Sequence, residues 1–215
     1  MRQLHPSLTS SRVFLLSPAH CGGRRATFLL KPDSGLPLAI RLREGTLTLG
    51  EAFSFMSGLY FRGKLTYASR FAAAAGECLV ITPTRGLQAP DLPVSVALIE
   101  EFAQTDIAAG DAHYRAPLER DVTRLAGQLA DSARVVLLGS IASDKYVDVL
   151  RPPLGARLHY PISFVGRGDM SRGGLLLRQA ASGDELEYVP LDAAATRRGV
   201  RPPKLAPLAR GASAT

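Results

Sequence analysis

Three short stretches of the chain are apolar at nearly every position instead of at alternate ones: 12–16 (R-V-F-L-L), 77–82 (E-C-L-V-I-T) and 134–138 (R-V-V-L-L). Each is followed by a turn signal, Ser17-Pro18, Pro83-Thr84-Arg85-Gly86 or Gly139-Ser140. That pattern reads as strands covered on both faces. A shorter fourth strand is read at 157–160, before Pro161. Elsewhere the period lengthens. Leu118, Val122, Leu125 and Leu129 share one helical face, with Glu119, Arg120, Asp121 and Arg124 off it. Over 47–71, Phe53, Met56 and Tyr60, then Leu65, Ala68 and Phe71, suit one or two helices with a break near 58–63.

Residues 94–104 suit a helix or a strand plus helix, and 27–30 a strand or a helical turn. A helix is read from 144 to 150 with Ser143 as N-cap. Residues 32–37 and 106–114 read as irregular. Segments 175–179 and 185–189, either side of a turn at Ser182-Gly183-Asp184, read as a hairpin. Strands alternating with helices predict a single α/β domain over 1–192, a mostly parallel central sheet flanked by helices with a C-terminal hairpin. Residues 193–215 hold five basic residues and no acidic one, with Pro and Gly throughout, and read as a disordered basic tail.

Composition refines this picture. The 215 residues are 46% hydrophobic, so a sizeable core is available, and the net charge of +7 favours an acidic partner, nucleic acid first and a nucleotide-like anion next. Lysine occurs only at Lys31, Lys64, Lys145 and Lys204, so part of that basicity reflects a preference for arginine. Cys21 and Cys78 form no CxxC and no disulfide framework. No apolar run is long enough to span a membrane, and 1–11 lacks the apolar core of a signal peptide. A cytoplasmic location without membrane association is the expectation, and the sequence gives no sign of a cofactor. The four histidines show no metal-ligand spacing.

The densest chemistry lies at 165–178 (V-G-R-G-D-M-S-R-G-G-L-L-L-R). It reads as a glycine-rich ligand loop in which Arg167, Arg172 and Ser171 hold an anion and Asp169 orients water or a hydroxyl. The competing reading is a surface turn with solvated arginines. Three strand-end loops at 17–25, 83–86 and 139–145 would meet it on one side of the sheet. Their candidate ligand-binding residues are Ser17, Arg24, Arg25, Arg85, Ser140 and Lys145, and their candidate acid–base residues are His20 and Asp144. Tyr60, Arg62, Lys64 and Tyr67 form a basic-aromatic cluster that could stack a base, although tyrosines at this spacing are more often half-buried helix anchors. His20 and Cys21 are adjacent, so on an extended segment they point to opposite sides and make a poor thiolate–imidazole pair.

The order S-P-A, then G-L-Y-F-R-G-K-L-T-Y-A, then L-V-I-T-P-T-R-G-L-Q-A-P-D, then L-L-G-S…K-Y resembles bacterial peroxide-stress YaaA-type proteins and related uncharacterised domains, over about 13–146. It is similar more distantly to the uracil-DNA-glycosylase-like α/β fold. The first resemblance implies DNA binding, and the second base or nucleoside handling. The first-strand loop differs from true glycosylases in having no Asp to activate water. The leading expectation is a nucleic-acid- or nucleotide-binding α/β protein with an arginine-rich anion cleft, as a base- or nucleotide-processing, glycosylase-like hydrolase. Its competitors are a non-catalytic DNA-binding stress-protection module and a small-molecule transferase using Cys21.

Overall fold

In the computed structural model, which describes residues 12–72, 78–108, 110–192, 197–203 and 205, the sheet is built around two parallel strands that are buried beyond their first residue. β1 (Arg12–Leu16) pairs along its whole length with β4 (Arg134–Leu138). β1 also pairs in parallel with β2 (Cys78–Ile81), and β4 with β5 (Leu158–Pro161). Short antiparallel strands close the borders: β3 (Leu87–Gln88) on β2 and β6 (Tyr188–Pro190) on β5. The six strands run in the order β3-β2-β1-β4-β5-β6. The predicted α/β class with a mostly parallel sheet is therefore the observed one.

The continuous apolar runs are explained by two cores, one on each face of the sheet. Phe14 and Leu16 of β1, with Val136 and Leu138 of β4, enter the first core. Val13, Leu15, Val135 and Leu137 enter the second. The first core is covered by α1 (Arg24–Leu30), α2 (Pro37–Arg43), α3 (Leu49–Ser57), α4 (Leu59–Phe71), α5 (Val96–Gln104) and α8 (Asp169–Ser182). The second is covered by α6 (Ala112–Gln128) and α7 (Asp144–Leu154). α3 starts in a capping box: Thr48 Oγ1 accepts from the Glu51 N–H while Glu51 accepts from the Thr48 N–H. The break in 47–71 falls at Gly58 alone, whose φ of +61° turns the chain between α3 and α4. Among the described residues no helix is long and apolar enough to cross a membrane.

Two expectations are corrected. The segment 165–178 is not a glycine loop: α8 begins at Asp169 and runs through the three leucines. Its glycines serve helix packing. A Cβ on Gly173 would lie 2.7 Å from the Leu59 carbonyl oxygen, and one on Gly63 would lie 2.7 Å from the Gly173 carbonyl oxygen. α4 and α8 thus touch backbone to backbone. The hairpin at 175–179 and 185–189 is absent because 175–179 belongs to α8, and β6 pairs instead with β5. α2 and β3 had no sequence assignment.

In the tail, 193–196, 204 and 206–215 lie outside the described residues, while 197–203 make contacts. Arg197 Nε donates to the Ile141 carbonyl at 2.7 Å, its guanidinium pairs with Asp144 at 2.7 Å, and Arg198 donates to the Ala142 carbonyl.

The close α4–α8 contact predicts that Gly63→Ala and Gly173→Ala each destabilise the fold by about 1–3 kcal/mol or more through overpacking. Gly174→Ala, whose Cβ would meet only a Leu205 side-chain carbon at 3.6 Å, is expected to be neutral or stabilising, because alanine is the better helix former. Urea unfolding of the three variants checks this.

Candidate active-site cleft

Chain direction places the cleft. After β1 the chain passes through α1–α4 on the first face, and after β4 it passes through α7 on the second. The two connections diverge from neighbouring strands and leave a crevice beyond the carboxyl ends of β1 and β4, where open α/β sheets bind ligands. A cleft of about 530 Å³ lies there. Ser17 to Gly22 form one wall, Ser140, Lys145 and Tyr146 another, and Phe102 to Ile107 a third, with Ser57, Tyr60, Pro83 and Asp169 completing it. All three strand-end loops therefore contribute to one concave site.

Its inner end is built on Ser17. The Ser17 N–H donates to the Leu138 carbonyl at 3.2 Å, continuing the β1–β4 ladder by one residue. Gly139 is needed beside it, since a Cβ there would lie 2.9 Å from the Ser17 Cβ. From α4, Lys64 Nζ donates to the Ser17 carbonyl at 2.5 Å and to Ser17 Oγ at 2.8 Å. Lys64 has no exposed surface, and its Nζ stands 4.4 Å from the Tyr60 ring centre and 4.9 Å from that of Phe61. Burial lowers Lys64 to about 7; the Asp169 carboxylate opposes the shift, and the Arg172 and Lys145 charges add to it.

Two tyrosines flank this pair. The Tyr146 side chain lies beside that of Ser17, and burial raises its pKa above the ordinary range. The Tyr60 hydroxyl is buried and makes no hydrogen bond of normal geometry among the described residues; the Arg172 guanidinium is its polar neighbour, with the Asp169 charge nearby. A buried hydroxyl lining a cleft with its hydrogen bonding incompletely met is a ligand-binding signal, because the shortfall has a cost that a ligand atom can remove.

Six of the sequence candidates line the cleft: Ser17, His20, Tyr60, Ser140, Lys145 and Asp169. The arginine-rich anion cleft is corrected, as none of its lining residues is an arginine. Arg172 is buried and donates to the Phe164 carbonyl at 3.3 and 3.2 Å. Arg167 donates to the Ser163 carbonyl at 2.9 Å and to Ser171 Oγ at 3.1 Å, which also accounts for Ser171. Arg85 pairs with Glu101, and Arg25 donates to the Phe55 carbonyl at 3.2 Å. Arg24 and Arg62 are exposed on α1 and α4 and do not line the cleft.

Asp144 is turned to Arg197. Lys64, expected on a base-stacking surface, sits behind the cleft instead. Tyr146 and Asp106 were not singled out from the sequence, although the K-Y pair stood at a helix start. Cys21 is 3% exposed, its S–H donates to the Ala19 carbonyl, and burial pushes the thiol up to about 12. An attacking thiolate requires the opposite shift.

No family model, no curated protein and no solved structure matches the chain. The fold and site by themselves define an open α/β protein with a cleft at its topological switch point.

Two outcomes follow. Arg172→Ala is expected to lower stability by about 1–3 kcal/mol, because it removes two charge-assisted hydrogen bonds to the Phe164 carbonyl, which is left with the Arg167 N–H at 3.2 Å; thermal melts check this. Lys64 sets a pH dependence whose sign can be worked out. The folded state releases its proton near pH 7, whereas the unfolded chain holds it to about 10.4. Below pH 7 both states are protonated and the full burial penalty applies. Between these values folding expels a proton, so stability rises with pH, by up to about 1.4 kcal/mol per unit. Wild-type stability measured against Lys64→Met should climb across that window and level off above it.

Proposed function

We propose that the protein is an enzyme acting on a nucleoside- or nucleotide-like small molecule bound in the switch-point cleft. The observation that carries this reading is the convergence of Ser17, Lys64, Tyr60 and Tyr146 at the closed end of a concave site. Desolvated titratable groups gathered in a cleft are the usual arrangement of an active site. The wall composition favours a polar ligand of low charge over a polyphosphate. Lys145 is the one Lys or Arg among the lining residues, set against Asp106 and Asp169. Phe102, Ile107, Pro18 and Pro83 supply apolar surface for a ring. The more distant similarity to the uracil-DNA-glycosylase-like fold implies base or nucleoside handling, while the resemblance to YaaA-type proteins implies DNA binding.

Calorimetric titration with ribonucleosides, their 5′-monophosphates and a single-stranded oligonucleotide at two salt concentrations tests the proposal. A nucleoside or monophosphate should bind with modest salt dependence. Tyr60→Phe should weaken that binding about two- to tenfold, the worth of one hydrogen bond. It should change the melting temperature little, because the hydroxyl makes no hydrogen bond of normal geometry and only neighbours the Arg172 guanidinium. Oligonucleotide binding that falls steeply with salt and ignores Tyr60→Phe would favour the non-catalytic nucleic-acid-binding reading. Absence of binding by every compound would sink both.

A further inference from the structure

We propose that Ser17 is a covalent nucleophile and Lys64 its general base, so that the cleft transfers an acyl group from an ester or amide to water through an acyl-serine. This rests on the cleft being a ligand site and adds the chemistry done there. Ser17 Oγ lines the cleft on a backbone fixed by the Leu138 carbonyl, with the neighbouring strand exit cut back to Gly139. Lys64 Nζ lies 2.8 Å from that oxygen on the side away from the cleft, wholly enclosed. A lysine held only for its charge would sit more cheaply at the surface, since burial disfavours the ammonium. Here the ammonium is enclosed with two aromatic rings and with the Arg172 charge. Tyr146, on α7, lies beside the Ser17 side chain. The first turn of that helix, carrying Lys145 and Tyr146 into the wall, brings positive potential to where an oxyanion would form.

With Lys64 neutral, the Ser17 hydroxyl donates to Nζ. A lone pair of Oγ forms the bond to the substrate carbonyl carbon. The C=O π pair moves onto its oxygen, and the Oγ proton passes to Nζ. When the carbonyl reforms, the bond to the leaving group breaks and that group takes the proton from the Lys64 ammonium. Water then attacks the acyl-serine and gives its proton to Lys64. The carbonyl reforms, Ser17 Oγ leaves with that proton, and the carboxylic acid is released.

The test is covalent labelling with an alkyl fluorophosphonate, in which Oγ displaces fluoride and the adduct is mapped by peptide mass spectrometry. A single adduct on Ser17 is expected, forming at least about a hundredfold more slowly in Lys64→Met, the usual worth of a general base. In the wild type the labelling rate should rise through the neutral range. The charged and titratable groups acting on Lys64 are Asp169 and Arg172 from α8, Lys145 from α7 and the Tyr60 ring on its own helix. No adduct on Ser17, an equal rate in a folded Lys64→Met, or a rate flat from about pH 6 to 9 would overturn the proposal, and the last needs no variant to fold. The nucleoside titration is read separately. Labelling without nucleoside binding supports the serine nucleophile and removes the nucleoside. Nucleoside binding without labelling overturns the nucleophile and leaves the ligand class standing.

Discussion

The contact between Gly63 and Gly173 sets the distance on which the site depends. With no side chain at either position, α4 and α8 meet at their backbones. Tyr60 and Lys64 on the one helix and Asp169 and Arg172 on the other are thereby brought together behind β1. Any wider spacing would let water reach Nζ and restore an ordinary ammonium. The lowered basicity of Lys64 is thus a property of helix packing as much as of its neighbours. The two Ser17 oxygens, the Tyr60 and Phe61 rings and the Asp169 charge offset part of the desolvation. The remainder appears as the shift itself.

Around that contact the sheet topology does the placing. The divergence of the chain after β1 and after β4 opens the crevice, and the same register that pairs Leu16 with Leu138 brings Ser17 beside Gly139. Nucleophilic residue types at the end of one strand are sorted by their partners. Ser17 and, four residues on, Cys21 both line the cleft with little exposed surface. Ser17 has a basic partner behind it, whereas the Cys21 thiol is bonded to a carbonyl.

Much of the fold was legible because the strands are apolar on both faces, a signal that needs no partner to interpret. The stretch 165–178 was misread because glycine has two uses that look identical in one sequence. It permits unusual turns, and it permits close approach, and only the position of Gly63 on another helix distinguishes them. The arginines were assigned to an anion for a similar reason. Their charge is visible in the sequence, but the Phe164, Ser163 and Phe55 carbonyls that accept from them are not. Lys64 did carry a readable sign. It is one of only four lysines in an arginine-rich chain, and it falls at helical spacing between Tyr60 and Ala68 on the buried stripe of α4. Taken as part of an exposed cluster, that sign was passed over.

The borders of the sheet bear on how the molecule meets others. β3 has two residues and β6 three, both run against their neighbours, and β6 ends at Pro190, which has no N–H to offer. Long, flat edges invite further strands and seed stacking between chains, whereas short edges and proline discourage it. With both borders blunted, growth of the sheet across a molecular boundary is disfavoured on either side. Recognition is left to the helical faces and to the rim beyond β1 and β4, the rim that holds the cleft.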